Sequence, residues 1–531
     1  MKLTKQDIDK VRHIEGFPVA KDEDIIALSN PPYYTACPNT FIEDFIKEHG
    51  KHYNEATDDY HREPFAADVS EGKNDPIYNA HSYHTKVPYK AIMRYILHYT
   101  EPGDIVFDGF CGTGMTGVAA QMCGNPDVDL EFKNLLEQEM PYIKWGARKA
   151  ILNDISPAAT FIAYNYNTPV DVVKFEKEAN RILNECEKEI GWMYETNHVD
   201  ENGSQIYDDV TGPVKGTINY TVWSDVFLCP NCGNEIIFWN VAVDENKKQV
   251  KNIFECNNCG MELKKKDCSR VTELVYDKAI NKMINLAKQV PVLINYIVGT
   301  KRFEKKPDNK DLDIIKRIDN IGIPYWYPIN ELPDGYNTEQ PKRSHGVTNT
   351  HLFYTKRNLY ILGYLNKSLN NSKQRIVLQS IVANLCTKLT RYNMGNRGNG
   401  PVTGTLYIAS LVAESNVFRL FKGKIESFNK LFTLTNNFNN AILQCASLSN
   451  VETTSSNSID YIFTDPPFGD NLNYSELSFI WEAWLKVITN NKTEAIINKV
   501  QKKGLLEYQE LMTQCFKEYY RILKPNRWMT V

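Results

Sequence analysis

Apolar residues recur at helical spacing through Ile92, Met93, Ile96 and Leu97, so the pattern predicts a helix over Tyr89–Tyr99. Pro102-Gly103 ends it, and Asp104-Ile105-Val106-Phe107-Asp108 then reads as a short buried strand. A glycine-rich turn and a helical segment over residues 115–123 follow. Lys149-Ala150-Ile151-Leu152-Asn153-Asp154 is a second strand, ending in an acid. Strand, glycine turn, helix, strand and acid in that order open a doubly wound α/β domain.

The alternation stops near residue 170 and resumes near 435. Ile459-Asp460-Tyr461-Ile462-Phe463-Thr464-Asp465 is a strand, helical segments run to Leu523, Lys524-Pro525-Asn526 turns the chain, and Arg527-Trp528-Met529-Thr530-Val531 begins another strand. The expectation is an N-terminal extension over residues 1–80, one half of an α/β domain over 81–170, an insertion over 171–435, and the second half over 436–531. The sheet is expected to lack its last strands, supplied by a longer protein or by another chain.

Composition adds two constraints. No apolar stretch is long enough to cross a bilayer and the N-terminus is polar, so no membrane association and a cytoplasmic location are expected. The net charge of −4 is unevenly spread: residues 340–430 hold fourteen Lys or Arg against two Glu, a local +12. Such segregation suits a phosphate-binding face on an acidic body.

Two short motifs carry the chemistry. In Asp108-Gly109-Phe110-Cys111-Gly112-Thr113-Gly114, glycines let the backbone approach a ligand at the carboxyl end of a strand. No Gly-Lys-Ser/Thr follows to hold a triphosphate. Asp154 is placed to accept bonds from ribose hydroxyls, although it lies 46 residues beyond Asp108, which requires an added segment near residues 124–146. Asp465-Pro466-Pro467-Phe468 follows the later strand; its prolines donate no backbone bond and leave carbonyl oxygens free. A carboxylate and a prolyl carbonyl together can draw an amino lone pair out of conjugation, while the aromatic ring stacks on a base.

Together these motifs resemble the amino-methylating DNA methyltransferases, with their Phe-x-Gly-x-Gly and Asp-Pro-Pro-Tyr/Phe loops. His81-Ser82-Tyr83-His84-Thr85-Lys86-Val87-Pro88 upstream, and Gly469-Asp470-Asn471-Leu472-Asn473-Tyr474-Ser475-Glu476 and Tyr520-Arg521-Ile522-Leu523-Lys524-Pro525 downstream, extend the resemblance to the branch with an internal zinc ribbon. It implies a Rossmann-like class I methyltransferase domain, split by the insertion, that moves a methyl from S-adenosyl-methionine to an exocyclic amino group of double-stranded DNA. It further implies a cofactor site of Thr85, Lys86, Asp108, Phe110, Gly112, Gly114 and Asp154. Asp465 and the Pro466 carbonyl would hold the amino group, with Pro467 shaping the loop and Phe468 on the base. Asp at 465 leans to adenine over cytosine. The sequence departs from the family in ending that loop with Phe and in lacking an acid within Leu443-Gln444-Cys445-Ala446-Ser447. Cys37 precedes proline rather than following it, which excludes attack on cytosine carbon 5. A non-catalytic DNA- or partner-binding remnant and an RNA methyltransferase are the alternatives.

The insertion carries Cys229-Pro230-Asn231-Cys232-Gly233 and Cys256-Asn257-Asn258-Cys259-Gly260. Two such turns present four thiolates to one structural zinc within a ribbon over residues 220–268. Target recognition is expected from 340–430, with Lys356, Arg357, Arg391 and Arg397 on DNA.

Overall fold

The structure is a computed structural model that describes residues 2–69, 73–210, 212–394 and 398–531. It divides into two compact units, the first made of Met1–Lys177, Asn371–Ile376 and Ile425–Val531, the second of Glu178–Asn370 and Val377–Lys424.

The first unit is built on a six-stranded, all-parallel sheet. Its strands are β1 (Tyr34–Thr35), β2 (Ile105–Asp108), β3 (Lys149–Asp154), β4 (Ala441–Cys445), β5 (Ile459–Phe463) and β6 (Leu523–Thr530), in the order β1-β4-β3-β2-β5-β6. Strands β2, β4 and β5 are buried at every position, the pattern of parallel strands covered on both faces. Helices α1 (Tyr89–Tyr99), α2 (Met115–Met122), α3 (Pro157–Asn167), α4 (Tyr474–Leu485) and α5 (Leu505–Ile522) belong to the same unit. Ile105, Phe107, Ile151, Ile442, Ile459 and Ile462 of the sheet pack with Tyr519 and Ile522 of α5 and with Ile42 and Ile46 of the N-terminal segment.

The predicted helix at Tyr89–Tyr99 and strand at Lys149–Asp154 appear with those bounds. The added segment between Asp108 and Asp154 is a helix, Leu130–Glu139. Two features differ from expectation. Residues 1–80 contribute to the sheet itself, because Tyr34 and Thr35 pair in parallel with Leu443 and Gln444. Strand β6 begins at Leu523, not after a turn; the Pro525-Asn526 kink, with Asn526 at φ +59°, is absorbed as an irregularity in its pairing with β5.

The second unit is centred on a nine-stranded antiparallel sheet around the long strand Lys215–Leu228, which pairs with Gln289–Val298 and Leu411–Ser415. A cysteine-bearing ribbon follows the end of that long strand. Among the described residues no helix is long and apolar enough to cross a membrane.

Candidate active site and metal centre

Strands β2, β3, β4 and β5 end side by side, and the residues just past their carboxyl ends line one cleft of about 980 Å³, counted with its open mouth. Ligands of open α/β sheets bind at this position because the strand-to-helix turns diverge there. Asp108, Asp154, Ser447 and Asp465 reach it from the four strands, and Thr85, Lys86, Tyr474 and Glu494 complete its rim and walls.

The glycine turn is locked to its neighbour strand. Cys111 donates its N–H to the Asn153 carbonyl at 3.0 Å, and Gly112 donates to Asp154 Oδ2 at 2.9 Å. The Asn153 amide donates to the carbonyls of Gly109 and Ala446, tying three strand ends together. Gly112 and Gly114 both have positive φ, at +50° and +76°, which L side chains rarely adopt. A Cβ on Gly114 would lie 2.7 Å from Ala163 Cβ in α3, whereas one on Gly112 would meet nothing closer than Tyr83 at 3.7 Å. Gly114 is therefore a packing requirement, and Gly112 keeps the cleft wall open.

Asp108 accepts from the Phe110 N–H at 3.1 Å and the Thr116 hydroxyl at 2.5 Å, which fixes the turn; burial pushes its carboxyl up to about 7. Asp154 accepts from Ser156 N–H at 2.9 Å as well as from Gly112, and burial pushes it up to about 6. Glu494, also buried, accepts from the Ser475 N–H and hydroxyl at 2.8 and 2.5 Å, and burial raises its carboxyl too. With Asp465, the lining carries four carboxyls against one ammonium, Lys86. That ammonium donates to the carbonyls of Tyr78 and His81 and so is turned to the backbone. This balance favours a ligand bearing positive charge. The hydroxyls of Thr113 and Thr493 line the same cleft, buried and, among the described residues, without a hydrogen-bond partner, as expected where a polar ligand is to be received.

Asp465 stands at the mouth, where partial burial raises its carboxyl above the ordinary range. Among the described residues nothing donates to that carboxylate or to the Pro466 carbonyl. The Pro467 carbonyl, in contrast, accepts from the Tyr508 hydroxyl at 2.7 Å. Phe468 leaves 62% of its surface exposed, unusual for a phenyl ring beside a cleft. Cys111 and Cys515 also line the cleft, but burial raises both thiols, the second to about 12, so neither is a thiolate at neutral pH.

Residues 12–155 match the DNA methylase family model. No curated protein and no solved structure matches the chain. The match supports an amino-methyltransferase, with S-adenosyl-methionine as the methyl source and DNA as the substrate. It covers the glycine turn and Asp154 and ends before the Asp465 loop.

In the second unit the sulfurs of Cys229, Cys232, Cys256 and Cys259 all lie within 4.8 Å of one another, with Cys229–Cys259 at 3.7 Å and Cys232–Cys256 at 3.8 Å. Tetrahedral zinc with bonds of about 2.3 Å needs sulfurs about 3.8 Å apart, so the set fits that ion. The two turns repeat one geometry: Gly233 and Gly260 donate to the carbonyls of Cys229 and Cys256, both at 2.9 Å. The amides of Asn231 and Asn258 reach across to Cys259 and Cys232 sulfur, both at 3.5 Å, which steadies the thiolates.

The expected phosphate-binding residues fare less well. Arg357 is buried, lies 3.4 Å from Glu414 and stacks on Tyr194, so it is a core ion pair and is not offered to DNA. Lys356 donates to the Asp319 carbonyl at 2.6 Å. Lys342 pairs with Asp334, and Lys388 is turned inward to Gln289. The charge of the 340–430 stretch is thus partly consumed by partners within the second unit. Arg391 is exposed, and Arg397 lies outside the described residues.

Sequence reasoning missed Glu494, Thr493 and Tyr508. None sits in a motif, and only burial and contact reveal them. Tyr83 and Tyr474 lay inside the flanking segments but carried no signal of their own beyond being aromatic.

Proposed function

We propose that this chain transfers a methyl group from S-adenosyl-methionine to an exocyclic amino group of a DNA base, adenine in preference to cytosine. The observation that carries the reading is the Asp465 carboxylate at the mouth of a glycine-walled, acid-lined cleft, followed in the chain by the Pro466 carbonyl, both unengaged among the described residues. When bound, S-adenosyl-methionine supplies an electrophilic methyl on a sulfonium. Asp154 would accept its ribose hydroxyls and Gly112 would leave room for it along the turn, with Thr85 and Phe110 lining the cleft for its remaining parts.

Asp465 and the Pro466 carbonyl accept the two hydrogens of the target amino group. That draws the nitrogen out of the ring plane and localises its lone pair for direct attack. The proton released afterwards leaves through Asp465. Phe468 stacks on the base after it leaves the helix. Tyr508, by engaging the Pro467 carbonyl, keeps the loop in the shape that exposes the one before it. Among the described residues the thiols lining the cleft, Cys111 and Cys515, are both raised by burial, which agrees with transfer that forms no covalent enzyme intermediate.

Cys229, Cys232, Cys256 and Cys259 would hold a structural zinc, and Arg391 and Arg397 remain assigned to DNA. Nucleoside analysis after incubation with labelled cofactor and unmethylated genomic DNA tests the reading. Labelled 6-methyladenine is expected; label solely in N4-methylcytosine overturns the base preference, and label in RNA alone overturns the substrate.

A further inference from the structure

Residues 499–506 read Lys-Val-Gln-Lys-Lys-Gly-Leu-Leu. They are bracketed by two attachments to the catalytic loop: Ile497 donates its N–H to the Gly469 carbonyl at 3.1 Å, and Tyr508 donates to the Pro467 carbonyl at 2.7 Å. The segment between is a hydrogen-bonded turn over Asn498–Lys503, followed from Leu505 by the first turn of α5. Asn498 and Lys503 exchange backbone bonds of 2.9 and 3.0 Å, and Lys502 closes on the Lys499 carbonyl at 3.1 Å. The Asn498 side chain accepts from the N–H groups of Val500 and Gln501 and donates to Asn473 and Glu476. Lys503 is buried, its ammonium held by the carbonyls of Asn491 and Glu494.

What this turn displays is otherwise hard to explain. Lys499 and Lys502 are exposed and, among the described residues, pair with no acid. Val500, Leu505 and Leu506 leave 50%, 67% and 74% of their surfaces exposed. The acid nearest in sequence, Glu507, accepts from the Gly504 N–H at 2.8 Å. Two free ammonium groups flanking bare aliphatic side chains, rigidly tied to the loop that must receive an extruded base, match the chemistry of a duplex: phosphates outside, stacked bases within.

We propose that residues 499–506 dock duplex DNA beside the catalytic loop, with Lys499 and Lys502 on phosphates and Leu505 and Leu506 pressed into the stack where the target base leaves. The assignment rests on the DNA reading above. Two variants test it, both altering exposed residues and both checked by thermal melting. With a labelled random-sequence 30-base-pair duplex (~30, a probe long enough to span the face), K499Q/K502Q is expected to lower the slope of log affinity against log salt by about 2, one per lost phosphate contact. With L505S/L506S, the ratio of methyl transfer on native to heat-denatured genomic DNA is expected to fall about tenfold, because denatured strands need no extrusion. An unchanged salt slope, or an equal loss on both DNA forms, overturns the proposal while leaving the methyltransferase reading intact. A wild-type chain that binds S-adenosyl-homocysteine but no duplex overturns both the docking proposal and the DNA reading.

Discussion

Gly112 and Gly114 sit two residues apart in one turn, yet the structure asks different things of them. At Gly114 an added methyl collides with Ala163 and Asn167, and φ is +76°. G114A is therefore expected to cost about 2–4 kcal/mol, from overpacking together with left-handed strain, and to lower the melting temperature by several degrees. At Gly112 the methyl points toward the cleft, so G112A is expected to cost only about 1 kcal/mol of stability but to lose most affinity for S-adenosyl-homocysteine. Melting and calorimetric titration separate the two; equal effects on both readouts would contradict this division.

Asp154 makes a second residue-scale prediction. Burial raises its carboxyl to about 6, so it is neutral below that pH and ionised above it in the empty cleft. The ionised form is the stronger acceptor for ribose hydroxyls. Affinity for S-adenosyl-homocysteine should accordingly rise with pH up to about 6, approaching tenfold per unit well below it, and level off above. D154N should flatten that rise. A wild-type profile flat from pH 5 to 7 would contradict the role.

Asp465 and Asp154 drew notice in the sequence because each follows an apolar strand, where a side chain can reach the carboxyl edge of a parallel sheet. Arg357 was not legible as a core residue because it sits in a helix and its partner Glu414 is far away in sequence, on the strand Leu411–Ser415, and a basic cluster looks the same whether its charges face water or one another. Glu494 gave no signal, since its hydrogen bonds to Ser475 exist only after folding.

Among elements, β2, β3 and β5 were readable from continuous apolar runs between turn residues. Strand β1 was not: Tyr34–Thr35 is two residues long and owes its conformation to pairing with β4. The cysteine ribbon was the most legible piece of the second unit, because metal ligands impose a spacing that tertiary packing cannot blur. Its stability is expected to depend on the ion. The purified chain should carry about one equivalent of zinc, and C256S or a strong chelator should release it and melt the ribbon, since such sites contribute on the order of 10 kcal/mol. Metal analysis and the reactivity of Cys229, Cys232, Cys256 and Cys259 toward a thiol reagent check this. A chain that holds no zinc, with four unreactive thiols, would contradict the assignment.

At the scale of the whole molecule, the chain interleaves two units: an α/β unit whose sheet is assembled from both ends of the sequence, and an antiparallel unit drawn mainly from the middle. The interruption was visible as a lapse in alternation, and its chemistry as a pair of cysteine turns. The distribution of charge was visible only as a sum. Once folded, part of the +12 of residues 340–430 is spent on internal partners, while Lys499 and Lys502 of the first unit are exposed and, among the described residues, pair with no acid. Counting charge along a chain thus locates basic sequence without locating a basic face.

The central claim is that Asp465, at the mouth of the cleft, receives an amino group to be methylated. The most direct test is labelled methyl transfer to unmethylated genomic DNA by the wild-type chain and by D465A, with S-adenosyl-homocysteine affinity measured for both. Transfer by the wild type and a loss of at least about 100-fold in D465A are expected, with cofactor-product affinity within about threefold. Equal transfer by both proteins would contradict that claim.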